Sequence, residues 1–316
     1  MPASRYSVEL AAPDIGAYAE GSGGIPYVTT FDSGKPGPHV LVTALTHGNE
    51  ISGAIALDHL FRLGLRPAAG ILSLAFANVA AYQRFDPQRP TTSRFIDEDL
   101  NRVWDEATLD GPRRSVELTR ARELRPLIDR VALLLDLHSM QQASAPLMLA
   151  GMTEKSLALA RRVGVPEIIV RDEGHAAGKR LRDYGAFGDP EAPAAALLVE
   201  CGQHWERGSA EVAIDTALRF LAASGVLPAE EAMQRLAMPA PPQRVVSVTE
   251  AVTIATNRFE FVRDYRGLEI IPRTGTLIAR DGAREIRTDY DDCVLIMPAR
   301  RLARGHTAVR LGRFTG

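Results

Sequence analysis

The chain has 316 residues, 46% hydrophobic and 24% charged, with a formal charge of −2. That length supports a sizeable core in one large domain or two smaller ones, and the near-neutral charge excludes a general pull toward nucleic acid or anionic membrane. No apolar run reaches the roughly 18 residues of a membrane span, the opening Met1-Pro2-Ala3-Ser4-Arg5-Tyr6 lacks a signal peptide's apolar core, and two isolated cysteines, Cys201 and Cys293, read as small buried hydrophobes of a cytoplasmic protein.

In chain order, residues 40–45 form an apolar, β-branched run ending at Thr46-His47. Residues 51–65 carry apolar side chains at helical spacing, 71–79 read as a strand and 116–128 as a helix. A second continuous apolar run, 131–137, leads into His138-Ser139. Further strands are expected at 147–150, 167–170 and 195–200, and further helices at 154–163 and 210–221. Continuous apolar strands alternating with helices predict an α/β domain whose sheet is covered on both faces. Pro228, Pro239, Pro241 and Pro242 then make a proline-rich join. Beyond it, short runs at 244–254, 258–262, 275–278, 293–297 and 307–311 predict a small antiparallel β unit. The expected division is therefore 1–238 for the α/β domain and 239–316 for the β domain.

Ligands of open α/β sheets bind beyond the carboxyl ends of the strands, which is where this pattern puts His47, His138 and Glu200. His47 and Glu50 stand three apart across a strand-to-helix turn and can converge on one ion. His138 would complete a His₂Glu set, a ligand composition of catalytic zinc sites. Asp136 shares a strand face with His138. Glu200 follows five apolar residues, where a buried carboxylate without a specific partner is costly.

Four motifs in order carry a family resemblance: Thr46-His47-Gly48-Asn49-Glu50, residues 93–102 (Ser-Arg-Phe-Ile-Asp-Glu-Asp-Leu-Asn-Arg), Leu135-Asp136-Leu137-His138 and Val199-Glu200-Cys201-Gly202. The chain resembles the succinylglutamate desuccinylase and aspartoacylase family, a branch of the zinc carboxypeptidase superfamily. The resemblance implies a zinc-carboxypeptidase-like mixed sheet flanked by helices, plus the small C-terminal antiparallel β domain. It implies one Zn²⁺ per chain on His47, Glu50 and His138, with Glu200 as general base and Arg94 polarising the scissile carbonyl. Asn101 and Arg102 would grip a substrate carboxylate, and Asp99 would accept from the free ring nitrogen of His47. The expected reaction is release of an acyl group from a small N-acyl amino acid. The alternatives are a carboxypeptidase acting on peptides and a binding module with a vestigial zinc site. A homo-oligomer is compatible with the sequence.

Two segments depart from the family pattern. Asn78-Val79-Ala80-Ala81 stands where relatives often have Asn-Pro-x-Ala, which puts the local turn in question. The glycine-rich, polar stretch 172–185 has no obvious counterpart, and it offers His175, Arg180, Arg182 and Tyr184 as specificity residues. His39, His59, His204 and His306 have no partner motif and read as surface or packing residues.

Overall fold

The computed structural model describes residues 6–174, 177–236 and 239–315. Its elements run β1 (Val28–Asp32), β2 (His39–Ala44), α1 (Ile51–Arg62), β3 (Ile71–Phe76), α2 (Val79–Tyr82), α3 (Glu106–Asp110), α4 (Val116–Ile128), β4 (Leu133–Met140) and β5 (Leu147–Leu149). They continue with α5 (Glu154–Val163), β6 (Ile168–Arg171), β7 (Ala195–Gln203), α6 (Arg207–Ala223), α7 (Ala229–Met233) and β8 (Arg244–Thr253). The last are β9 (Phe259–Phe261), β10 (Glu269–Ile271), β11 (Leu277–Asp281), β12 (Arg284–Arg287), β13 (Cys293–Ile296) and β14 (Thr307–Phe314).

Eleven strands form one mixed sheet in the order β1-β3-β2-β4-β7-β5-β6-β8-β14-β13-β10, and β12-β11-β9 form a small antiparallel sheet. The centre β3-β2-β4-β7 is parallel, while β1 and β5 run against their neighbours β3 and β7. The fully buried strands take their stability from apolar side chains on both faces. In β2, Val40, Val42 and Ala44 pack with α1, α5 and α6 on one face. Leu41 points the other way, into a core with Leu134, Ala196 and the apolar stripe of α4. The period-two alternation thus builds two layers of helix around one sheet. Cys201 and Cys293 are buried and unbonded to each other, as the sequence indicates.

Three strands escaped the sequence reading. β1 is a half-polar edge strand, β10 has three residues, and β12 is charged except for its buried Ile286. None offers the apolar run or clean alternation on which a strand is recognised. Beyond the proline-rich join, β8 pairs in parallel with β6, from Ile168 opposite Arg244 to Arg171 opposite Ser247. The antiparallel strands therefore continue the main sheet, while Val252, Ile254, Ile278, Ile286 and Leu295 help build a core of their own. Among the described residues, no helix is long and apolar enough to cross a membrane.

Candidate metal centre and cavity

The parallel register sets the site. β2, β4 and β7 are neighbours, and His138 on β4 stands directly opposite Glu200 on β7. The chain leaves β2 through Leu45, held in the left-handed region at φ 61°, a conformation rare for a branched side chain. That kink turns Thr46 and His47 back over the sheet end, and Glu50 sits at the N-cap of α1. Gly48 between them has no room for a side chain. A Cβ there would lie 2.4 Å from the backbone of Ala81 and Tyr82 and 2.6 Å from the Ser93 carbonyl.

His47, Glu50 and His138 are all buried, and one donor atom of each lies within 4.8 Å of the others. His47 Nδ1 is 2.7 Å from Glu50 Oε1, and His138 Nδ1 is 2.9 Å from Glu50 Oε2. Both rings thus turn Nδ1 inward. Their outer nitrogens are engaged: His47 Nε2 reaches Asp99 Oδ1 at 2.8 Å, and His138 Nε2 reaches Asp136 Oδ2 at 2.8 Å. Asp136 is itself held at Oδ1 by the hydroxyls of Thr43 (2.7 Å) and Thr46 (3.0 Å). Carboxylate acceptors behind both imidazoles fix tautomer and orientation, the usual support of a metal-ligating histidine. Asp99 had been implicated through the resemblance. Asp136, which the sequence places on the same strand face as His138, is its acceptor, and the Asp-x-His spacing on a strand carries that signal.

The charges also fit a cation. Glu50, Asp99, Asp136 and Glu200 crowd one small region whose nearest guanidinium, Arg94, donates to Glu50 Oε1 and Asp99 Oδ2 at 3.3 Å each. Burial opposes ionisation of Glu50, yet His47 and His138 hold it well below the usual carboxylate range. Burial likewise opposes a charged His138, yet Asp136 and Glu50 push its affinity for a proton well above the ordinary imidazole value. The cluster draws in positive charge, and two imidazole nitrogens with a carboxylate form a donor set that could hold a metal ion. Glu200 is pushed up to about 8 by burial and by Glu50, against the pull of His138 and Arg94. Its Oε2 is buried with no hydrogen-bond partner, an expensive state unless something else occupies the space before it.

These residues open into a cavity of about 1740 Å³. Asn101, Arg102 and Arg180 line it on one side, and Tyr265, Arg266, Met297, Arg300, Arg301, His306 and Arg310 bring in the C-terminal strands. Arg102 Nη1 donates to the Asn101 carbonyl at 2.6 Å. Burial, together with Arg94, Arg180 and Arg310, pulls Arg102 down to about 10 despite Asp99. Burial is the main cause of that shift, and Asp99 is the acid that opposes it. Arg310, on β14, is buried with its Nε 3.6 Å from Asp172 Oδ2. Among the described residues the cavity wall carries seven arginines against Glu50, Asp99, Glu200 and Glu206, in a chain whose net charge is −2.

The remaining sequence candidates divide. Asn101 lines the cavity, but its Oδ1 is used to hold the Leu181 amide at 2.9 Å. Arg180 is spent on Asp172, in a two-pronged pair at 2.8 and 2.9 Å, and on Asp183. Arg182 and Tyr184 do not face the site. Arg182 is buried against Gly151 and pairs with Asp183, and the Tyr184 hydroxyl donates to Asp129 and accepts from Arg125. Arg182 lies in the short 3-10 turn Leu181–Asp183 and Tyr184 caps it, and neither lines the cavity. His175 lies outside the described residues. His204, read as a packing residue, is buried and lines the cavity, with Nδ1 2.8 Å from Ser139 Oγ. Burial pushes it down to about 3, so it is neutral.

A mixed sheet whose central strand ends converge on a His-Glu-His group beside a buried carboxylate defines an α/β protein with a candidate metal centre. The model of the succinylglutamate desuccinylase/aspartoacylase catalytic domain matches residues 36–223, and the chain belongs to that family, whose members are hydrolases acting on amide bonds. A probable aspartoacylase of Parasynechococcus marenigrum (strain WH8102) is 38% identical over 134 residues, 39% of this chain and 41% of that protein. The match thus spans about two fifths of that relative's length. Among solved structures, succinylglutamate desuccinylase from Vibrio cholerae superposes with a TM-score of 0.69 at 17% identity, covering 91% of this chain and 85% of that one. The ectoine utilization protein EutE (DoeB) from Ruegeria pomeroyi, solved with product bound, gives 0.63 at 18% identity, covering 91% and 88%. At such identities these likenesses concern the fold, and they include the C-terminal strands.

Proposed function

We propose that the chain is a zinc-dependent amidohydrolase that releases an acyl group from a small N-acyl amino acid. The observation that carries the reading is the pairing of two unlike ends in one cavity: a buried His-Glu-His donor set beside Glu200, whose Oε2 has no hydrogen-bond partner, and a wall carrying seven arginines. Zinc held by His47, Glu50 and His138 would supply Lewis acidity and lower the pKa of attacking water. Glu200 takes that water's proton and passes it to the leaving amine, a task suited to a carboxylate with a raised pKa. Arg94, beside Glu50 and Asp99, would donate to the carbonyl oxygen as negative charge develops there. Arg102, which lines the same cavity as Arg310, would bind the substrate's carboxylate, for which a planar guanidinium fork is matched. The excess of arginine further favours a substrate with more than one carboxylate.

The test is a rate series over N-acetyl and N-succinyl amino acids with acidic, neutral and basic side chains, free and with the α-carboxylate capped as an amide. The expected outcome is zinc-dependent hydrolysis of uncapped acidic substrates. Preference for capped or basic substrates would sink the assignment. A second reading, a carboxypeptidase acting on peptides, draws on the cavity's volume of about 1740 Å³, beyond the roughly 300–1,000 Å³ of an ordinary small-molecule site. Short peptides in the same series decide between them.

A further inference from the structure

Arg94 and Asp99 are separated by four residues, of which Phe95 lines the cavity and the next three do not, and something must hold that stretch still. The loop rests on the turn carrying His47, with Gly48 N donating to the Arg94 carbonyl at 3.0 Å. Its middle is held from the opposite side by Glu117, the second residue of α4. Glu117 is 0% exposed. Its Oε1 accepts from Ile96 N at 2.6 Å and from Asn78 Nδ2 at 3.0 Å. Its Oε2 accepts from Asp97 N at 3.0 Å and from Glu98 N at 3.2 Å. Three consecutive backbone amides thus form a concave nest around one carboxylate. Asp97 Oδ2 returns the contact by accepting from Val116 N at 2.8 Å. An acid in the first turn of a helix is favoured anyway, but an exposed one would serve that purpose. Burying a charge completely is costly without full compensation, and here the compensation comes from the loop and from Asn78.

We propose that Glu117 is a positioning residue: by clamping the backbone at 96–98 it keeps Arg94 aimed at Glu50 and the substrate carbonyl, and Asp99 behind His47. This rests on the reading of the site given above. It also gives Asn78 a purpose in a segment that departs from the family pattern, since its Oδ1 caps α2 while its Nδ2 completes the clamp.

The experiment compares the full-length wild type with Glu117→Gln in three measurements: steady-state kinetics on the best N-acyl amino acid, Zn²⁺ affinity by competition with a chromophoric chelator, and thermal unfolding. Glutamine has the same shape but turns an NH₂ toward one pair of amides. The expected result is a kcat lower by about 10–100-fold, the cost of a small misplacement of a catalytic group. Zn²⁺ affinity should fall by about 10–100-fold as the outer acceptor of His47 loosens. KM should move by less than about threefold, because the arginine wall is untouched. If the glutamine variant does not fold, Glu117→Asp, which keeps the charge but withdraws it, should show the same split in milder form. A variant with a lower melting temperature but wild-type kcat and Zn²⁺ affinity would overturn the proposal, as would a wild type that binds no Zn²⁺. If the wild type binds Zn²⁺ but cleaves no N-acyl amino acid, the substrate reading fails and the affinity arm alone still decides the role of Glu117.

Discussion

The two ends of the cavity are built by opposite means. At the metal end most charged groups are engaged by close neighbours in sequence or on adjacent strands, His47 with Glu50, His138 with Asp136, and Asp136 with Thr43 and Thr46, and one loop, 94–99, adds Arg94 and Asp99. At the arginine end the charges come from segments far apart in the chain, Arg102 from the loop after Asp99, Arg180 from the 172–185 stretch and Arg310 from β14. The first end is preorganised before any substrate arrives, which is what transition-state stabilisation requires. The second depends on partners from equally distant segments, with Arg180 paired to Asp172 and Asp183 and Arg310 approaching Asp172. The donor set is thus fixed by short motifs at the ends of neighbouring strands, whereas the arginines are gathered from across the fold.

That contrast predicts a hierarchy of effects. Replacing His138 by Ala should empty the metal site, from about one zinc per chain to a small fraction, and abolish turnover with it. Metal analysis showing undiminished zinc would remove His138 from the ligand set. Glu200→Gln should keep its zinc and lose at least about a hundredfold in kcat. Because Glu200 Oε2 is buried without a partner, the amide should leave the melting temperature equal or higher, as happens when a buried charge held for function is removed. Near-normal turnover in that variant would mean another group takes the proton.

The same contrast explains what the sequence made legible. Apolar runs flanking His47, His138 and Glu200 announced the central strands, and their shared ends announced the site. The order of the sheet, with β1 and β5 reversed, was hidden because a continuous apolar run has no direction. The role of Arg310 was hidden for another reason. β14 reads as an ordinary alternating strand, and only its pairing with β8, itself hydrogen-bonded to β6, brings it near Asp172 and the cavity. The strands beyond the proline-rich join therefore supply part of the cavity wall, which both regions share. In the 172–185 stretch, residue type pointed equally to Arg180, Arg182 and Tyr184, and only the turn geometry separates the one that lines the cavity from the two that do not.

Arginines at the second end should separate in the same way. Arg102→Ala should raise KM for uncapped substrates by about 10–100-fold, since a charge-assisted hydrogen bond contributes about 1.5–3 kcal/mol, while kcat changes little. It should barely affect the slow reaction of capped substrates. Arg182→Ala should do the reverse, costing about 1–3 kcal/mol of stability through lost packing against Gly151 while leaving KM unchanged. Equal KM effects from the two would show that the wall is a diffuse field and not a contact at Arg102.

The smallest expected effect on activity, and the sharpest on the loop, belongs to Asp172. Its carboxylate pairs with Arg180 and approaches Arg310, so it joins the 172–185 stretch to the C-terminal strands. Burial alone would raise its pKa, but Arg180, aided by Arg182 and Arg310, holds it at about 2, below the ordinary 3.8. A depressed carboxyl contributes stability that is fully present above its unfolded value and is lost as pH falls toward the folded one. A shift of that size corresponds to about 2 kcal/mol, present at pH 7, about half remaining near pH 3 and gone below about pH 2. Asp172→Asn should therefore unfold more easily in urea at pH 7 by at least about 2 kcal/mol, because two buried guanidiniums lose their partner. The gap to wild type should narrow by about 1 kcal/mol at pH 3, with kcat unchanged throughout the range where both remain folded. A gap that stays constant between pH 7 and pH 3 would mean that the ionised carboxylate does not hold the loop, and that the arginine wall is kept in place by packing alone.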